Sequence, residues 1–220
     1  MKAVIGGVFV GKPKTHKSDS GSWRSGIFKS PVLLPVHLGI ENLEGDGQFD
    51  KRFHGGPDRA VLFCSVHHYP HWSSVLGLSL EAGSFGENIS VDGVDESVVC
   101  LGDRWATEDV EIEVSQPRIP CYKLSRRIGI EGCHLQITEA GHGGWYARTI
   151  KEGLIASGQT FTLLERPHPG WTVARAFNLF MSSKGRESEL EALGRVPQLS
   201  QLWKDNIQKR LAVLEGHNDS

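Results

Sequence analysis

Val110-Glu111-Ile112-Glu113-Val114-Ser115-Gln116-Pro117-Arg118-Ile119-Pro120-Cys121-Tyr122-Lys123-Leu124 carries both the fold signal and the chemistry of this chain. Its first five residues alternate apolar and charged, the period-2 pattern of a strand with one wet face. Pro117 and Pro120 then fix the backbone and deny it ladder hydrogen bonds, so the stretch from Ser115 reads as a rigid loop at a strand end. Cys121 sits on that loop, flanked by Arg118 and Lys123. Neighbouring positive charge favours the thiolate, the form that acts as nucleophile and metal ligand. Taken alone, the same residues also fit a half-buried structural cysteine beside two solvated cations.

Outward from this stretch, short apolar runs are punctuated by Gly, Pro, Asp and Asn as far as Arg166. Val32–Leu34, Ala60–Cys64, Val98–Leu101 and Phe161–Leu164 read as strands, and Asp92-Gly93 as a hairpin turn between Ile89–Val91 and Val94. A helix is expected after Pro70, with Pro70 at its first position. Glycine contributes 26 of 220 residues, more than the roughly 7% of average usage. Many tight turns between strands at this spacing predict a barrel or sandwich.

After Arg166-Pro167-His168-Pro169-Gly170 the period becomes helical. Val173, Ala176, Phe177 and Phe180 share one helix face, with Thr172 as N-cap. Ser188-x-x-Glu191 reads as a capping box, with Gly194 stopping that short helix. Pro197 opens a third segment whose stripe is Leu199, Leu202, Trp203, Ile207, Leu211 and Leu214, ended by Gly216. The organisation expected is a mainly β (α+β) domain over 1–166 and a three-helix module over 171–215. The tail either docks a partner protein or a second subunit, as in a homodimer, or caps the barrel. An amphipathic stripe ordinarily packs on its own chain, which favours capping.

Composition excludes several classes. Hydrophobic residues make up 39% and charged residues 23%, which is neither a disordered, a coiled-coil nor a fibrous chain. Lys+Arg is 24 and Asp+Glu 26, a formal charge of −2, so no nucleic-acid partner is expected. No apolar stretch approaches the roughly 18 residues of a membrane span. The apolar run within Met1–Gly11 is too short for a signal peptide, so a cytoplasmic location is expected. Cys64, Cys100, Cys121 and Cys133 show no C-x-x-C spacing and read as free thiols.

Other segments invite chemistry. In His54-Gly55-Gly56-Pro57-Asp58-Arg59, the glycines let backbone amides approach a polar ligand; a turn with Asp58 and Arg59 paired on the surface is the plainer reading. Phe85-Gly86-Glu87-Asn88-Ile89 fits a bulge or turn before a strand. Within Ser25–Pro31, Lys29 is placed either to meet a phosphate or to be solvated. His67, His68 and His71 lack the Glu of H-E-x-x-H and are read as structural or surface histidines. Gly141-His142-Gly143-Gly144-Trp145 lacks the Gly-Lys-Ser/Thr ending of a phosphate loop and reads as a flexible lid.

Taken in order, His54–Ala60, Phe85–Ile89, Gly102-Asp103 and Gln116–Leu124 resemble the MOSC domain family, named for the C-terminal domain of molybdenum cofactor sulfurases, and within it the bacterial YiiM-like branch. Gly144-Trp145-Tyr146 and the three-helix tail extend the likeness over nearly the whole chain. The resemblance implies a β-barrel-like fold with a C-terminal three-helix module. It also implies binding of molybdenum cofactor, with Cys121 at the family's cysteine position as thiolate ligand to the metal. Lys29, Arg59 and Arg118 then become candidates for the cofactor's charged groups, and His54, Asn88 and Gln116 for the pterin's donors and acceptors. The activity implied is reduction of N-hydroxylated compounds, such as hydroxylaminopurines, to amines. No flavin, haem or iron–sulfur motif is visible, so electrons are expected from a separate flavoprotein reductase. A non-catalytic sulfur or cofactor carrier using a Cys121 persulfide is the alternative. A metal-free thiol enzyme with His54 as base is a third reading.

Overall fold

The structure, a computed structural model, describes residues 1–18, 21–49 and 55–218. In chain order the elements are β1 (Lys2–Val10), β2 (Lys14–Ser18), β3 (Gly21–Ser25), β4 (Ser30–Pro31), β5 (Val36–Leu38), β6 (Val61–Ser65), α1 (His68–Leu76), β7 (Ile89–Asp92), β8 (Arg104–Ala106) and β9 (Glu111–Pro117). There follow α2 (Tyr122–Ile128), α3 (Cys133–Glu139), β10 (Trp145–Lys151), β11 (Gly153–Ile155), β12 (Thr160–Glu165), α4 (Val173–Met181), α5 (Glu187–Gly194) and α6 (Gln201–Asn218).

Seven strands close into a barrel in the order β12-β8-β9-β10-β6-β7-β1, sealed by β1 against β12. The sealing register pairs Lys2 with Thr162 and Ala3 with Phe161, and closure leaves no free sheet edge in the ring. Strand β6 runs parallel to β7, with α1 in the connection between them. All five β6 residues are buried, which explains their apolar run without alternation. In β9 the alternation is realised: Ile112 and Val114 face the core, while Glu113 turns outward to Arg148 at 2.5 Å. Inside the barrel Phe63 stacks on Trp145 at 5.9 Å and meets Phe161 edge-on at 5.8 Å.

The expected α+β barrel is what the chain forms, and its helical tail shares the barrel's core. Phe177, Leu190, Trp203 and Ile207 belong to the same buried cluster as Val61, Phe63 and Ile112. The Ser200 N–H also donates to Ser115 O at 3.0 Å, and Arg148 Nη2 to Gln198 O at 2.9 Å. Thr172 caps α4 as expected, its Oγ1 accepting from Arg175 N at 3.1 Å. Thr172→Ala is expected to lower unfolding free energy by about 1 kcal/mol, read as a shifted urea midpoint with unchanged slope.

Several local expectations fail for identifiable reasons. Val32–Leu34 is not a strand; between Pro31 and Pro35 the chain leaves the sheet, and Leu33 is 93% exposed. Val98–Leu101 is a turn region, because Asp95 Oδ1 accepts from Ser97 N at 2.8 Å and Asp103 Oδ2 from Cys100 N at 2.9 Å. Such side-chain bonds compete with a strand ladder. Asp92-Gly93 makes no hairpin, since β7 finds its partners in β6 and β1. Strand β9 continues through Pro117, pairing Gln116 with Tyr146, so the loop starts at Arg118 and not at Ser115. Helix α1 starts at His68, which puts Pro70 third, still within the turn whose N–H groups lack helical partners. Ser188 lies inside α5, whose N-cap is Arg186, and Gly194 is its last helical residue. Helix α6 is opened by Ser200, whose Oγ accepts from Trp203 N at 3.3 Å, and runs past Gly216. No helix among the described residues is long and apolar enough to cross a membrane.

Candidate functional site

Cys121 stands where β9 hands over to α2. It is the N-cap residue, with extended backbone, and its side chain makes no capping bond. The other three cysteines are buried, and Cys121 is partly exposed. Burial pushes the Cys64 thiol well up, helped by the nearby Glu87 carboxylate; burial also raises Cys100.

The Cys121 side opens on a cleft whose wall includes Lys29, Arg59, Asn88, Arg118, Lys123 and Tyr146. Four cationic side chains and no carboxylate line it among the described residues. Arg118 is 7% exposed, and its guanidinium donates to Phe85 O at 2.9 Å and Gly143 O at 3.3 Å. Burial works against that charge, but the facing Cys64, Tyr146, Cys121 and Glu87 groups outweigh it and hold the Arg118 pKa above its ordinary value. Lys29 is ion-paired with Asp46; burial nonetheless lowers the pKa of its ammonium. Burial raises the Tyr146 phenol against the pull of Arg118 and Arg59, so it lines the cleft as a neutral donor.

The motifs expected to matter are brought together unevenly. Lys29, Arg59, Asn88, Arg118 and Cys121 share the cleft. Arg59 closes a short 3-10 turn over Pro57–Arg59, and Asp58 pairs with Arg148 at 2.9 Å, not with Arg59. Asn88 is held by the protein itself: its Oδ1 accepts from Leu62 N at 3.2 Å, and its Nδ2 donates to Asp46 Oδ2 at 2.9 Å. Gln116 is directed elsewhere, its Oε1 accepting from Ser200 Oγ at 2.6 Å, so it ties the barrel to the tail. His54 lies outside the described residues. His67 pairs with Asp92 at 2.9 Å near the surface, and His68 pairs with Glu96 at 2.6 Å while stacking on His142 at 4.0 Å.

Two supports of the cleft were not legible as such. Glu87 is fully buried; it accepts from Phe85 N at 3.0 Å and Ser90 Oγ at 2.8 Å, and also from Tyr69. It shapes the turn that aims Phe85 O at Arg118. The available signal was a lone acidic residue between Gly86 and Asn88 before a buried strand. The glycine segment expected to be a flexible lid is instead packed backbone. Gly144 N donates to Glu96 Oε1 at 2.7 Å, Arg118 N donates to Gly144 O at 3.0 Å, and a Cβ on Gly143 would sit 2.5 Å from Arg118 O.

Comparison with known proteins agrees with this architecture. The sequence model of the MOSC domain matches residues 50–162. The chain is 36% identical over 201 residues to the uncharacterized protein YflK of Bacillus subtilis (strain 168), covering 91% of each. It is 33% identical over 197 residues to a protein named reductase from Gibberella moniliformis (strain M3125 / FGSC 7600), spanning 87% of this chain but 34% of that longer one. Its fold is similar to the crystal structure of YiiM from Geobacillus stearothermophilus, with TM-score 0.81 and 30% identity over 95% of this chain and 99% of that one.

Proposed function

This chain belongs to the MOSC domain family, and from that premise we propose that it is a molybdenum-cofactor-dependent reductase converting N-hydroxylated compounds, such as hydroxylaminopurines, to amines. The observation that carries the reading is the pairing of the one partly exposed thiol with a cleft walled by four cations and no carboxylate among the described residues. That donor set fits the group: a soft thiolate suits a thiophilic metal, and the cations suit a phosphate. Cys121 would ligate the metal. Arg118, fixed on two carbonyls, Arg59 and Lys29 would meet the anionic groups, with Asn88 at the pterin. Gln116, bonded to Ser200, would keep the tail seated behind the site.

Bound there, the cofactor supplies the two-electron removal of hydroxyl oxygen from nitrogen, N–OH + 2e⁻ + 2H⁺ giving N–H and water, with electrons from a separate flavoprotein reductase. The protein orients both molecules, and Tyr146 keeps its phenolic proton as a hydrogen-bond donor in the cleft wall.

The test is metal and pterin content after expression in a host that makes molybdenum cofactor. Equal, near-stoichiometric molybdenum and pterin are expected. Arg118→Ala should weaken cofactor retention by roughly tenfold or more, the size of a charge-assisted contact, with turnover per bound cofactor less affected. Full occupancy with dead turnover would make Arg118 a substrate residue. Sulfane sulfur on Cys121 without molybdenum would replace the reductase reading with a carrier.

A further inference from the structure

We propose that an aromatic hollow beside the Cys121 cleft is the ring-binding subsite of this protein, selecting planar N-hydroxylated heterocycles over aliphatic hydroxylamines. This rests on the reading of the cleft as the reducing centre. Trp23, Phe49 and Tyr122 line the hollow together with Arg24 and Lys123. Phe49 and Lys123 also line the cleft that contains Cys121, so the two spaces adjoin and share a wall. A ring seated in the hollow would thus have its exocyclic nitrogen beside the thiol's cleft.

The rings are displayed rather than packed away. Tyr122 is 51% and Phe49 52% exposed, although aromatic side chains gain most from burial. They are positioned by cations. The Arg126 guanidinium lies over Trp23 at 5.3 Å and over Tyr122 at 5.0 Å, which links the β2–β3 hairpin to the first turn of α2. Arg24 lies over Phe49 at 5.3 Å. From the other strand of the hairpin His16 backs the Trp23 ring at 4.8 Å, the two being cross-strand partners. Three aromatic rings and the planar Arg24 guanidinium therefore line one space next to the site. Such faces stack on nitrogen heterocycles with little regard to ring substitution, whereas an aliphatic hydroxylamine offers them nothing. Thr15 and Ser22 complete the same wall.

The test compares 6-N-hydroxylaminopurine with N-methylhydroxylamine on the cofactor-loaded protein, and measures equilibrium binding of the purine by dialysis. Tyr122→Ala and Phe49→Ala are each expected to raise KM for the purine roughly tenfold or more, one stacking contact's worth, with kcat unchanged. KM for N-methylhydroxylamine should stay constant, purine binding should weaken by the same factor, and Tyr122→Phe should restore both. Equal shifts for the two substrates, no shift for the purine, or a wild type that does not bind the purine would each overturn the subsite. Purine binding that Tyr122→Ala weakens, in a protein that never reduces N–OH, would uphold the subsite and overturn the reductase reading. Reduction with unaltered purine KM in both variants would do the reverse.

Discussion

Cys121→Ser is expected to lose molybdenum retention and to lower N-hydroxyl reduction by about a thousandfold or more, with the melting temperature of the cofactor-free wild type. The first expectation follows from ligand chemistry: a serine hydroxyl is harder than a thiolate and stays protonated at neutral pH, so a thiophilic metal loses its one protein anchor. Three decades in rate correspond to about 4 kcal/mol of barrier. The unchanged stability follows from position, because Cys121 is partly exposed and its side chain caps nothing at α2. Elemental analysis and turnover on protein from a cofactor-making host, and thermal melting of both chains without cofactor, check all three. Cys64→Ala, Cys100→Ala and Cys133→Ala serve as controls and should retain turnover per folded molecule, since those thiols are buried. Undiminished reduction in Cys121→Ser would end the reductase reading as stated, and loss at Cys133 alone would move the site to the start of α3.

Gly144→Ala should be the most destabilising single methyl in the cleft's support. The backbone there has φ +85, where L side chains are strained, and an added Cβ would lie 2.1 Å from Phe63 O and 2.8 Å from Cys64 Sγ. Phe63 is in the buried β6 strand, so its carbonyl has nowhere to retreat without parting the β6–β10 ladder. A cost of about 4 kcal/mol or more is expected, which in a domain of this size lowers Tm by roughly 8–16 °C. Gly129→Ala separates the two contributions. Gly129 has the same φ of +85 at the C-cap of α2 but nothing within 4 Å of its Cβ position, so only the backbone strain, about 1 kcal/mol, should appear. Equal losses in the two variants would show that steric conflict with Phe63 contributes nothing. The Gly144 variant should also weaken cofactor retention, because Gly144 O holds Arg118 N and Gly143 O holds the Arg118 guanidinium.

The sequence by itself determined what depends on neighbouring residues. Strand β9 follows from the alternation Val110–Val114, β6 from a buried apolar run, and α4 from a helical stripe behind the Thr172 cap. Cys121 stood out because proline framing and flanking cations are local features, and the same features placed Arg118 and Lys123 beside it. Arg59 and Asn88 entered through motif likeness, Lys29 through the charge it could offer a phosphate, and all three share the cleft. The tertiary structure alone decided the rest. Closure of β1 on β12 joins Lys2 to Thr162, and the parallel β6–β7 pair displaced the hairpin expected at Asp92-Gly93. Gln116 was drawn to Ser200, 84 residues away, and Glu96 to Gly144, 48 residues away, which turned an expected lid into packed support. Local period and turn chemistry are written in adjacent side chains. The direction a side chain finally takes is set by which distant donors, acceptors and apolar faces burial brings against it, and no short stretch of chain contains those partners.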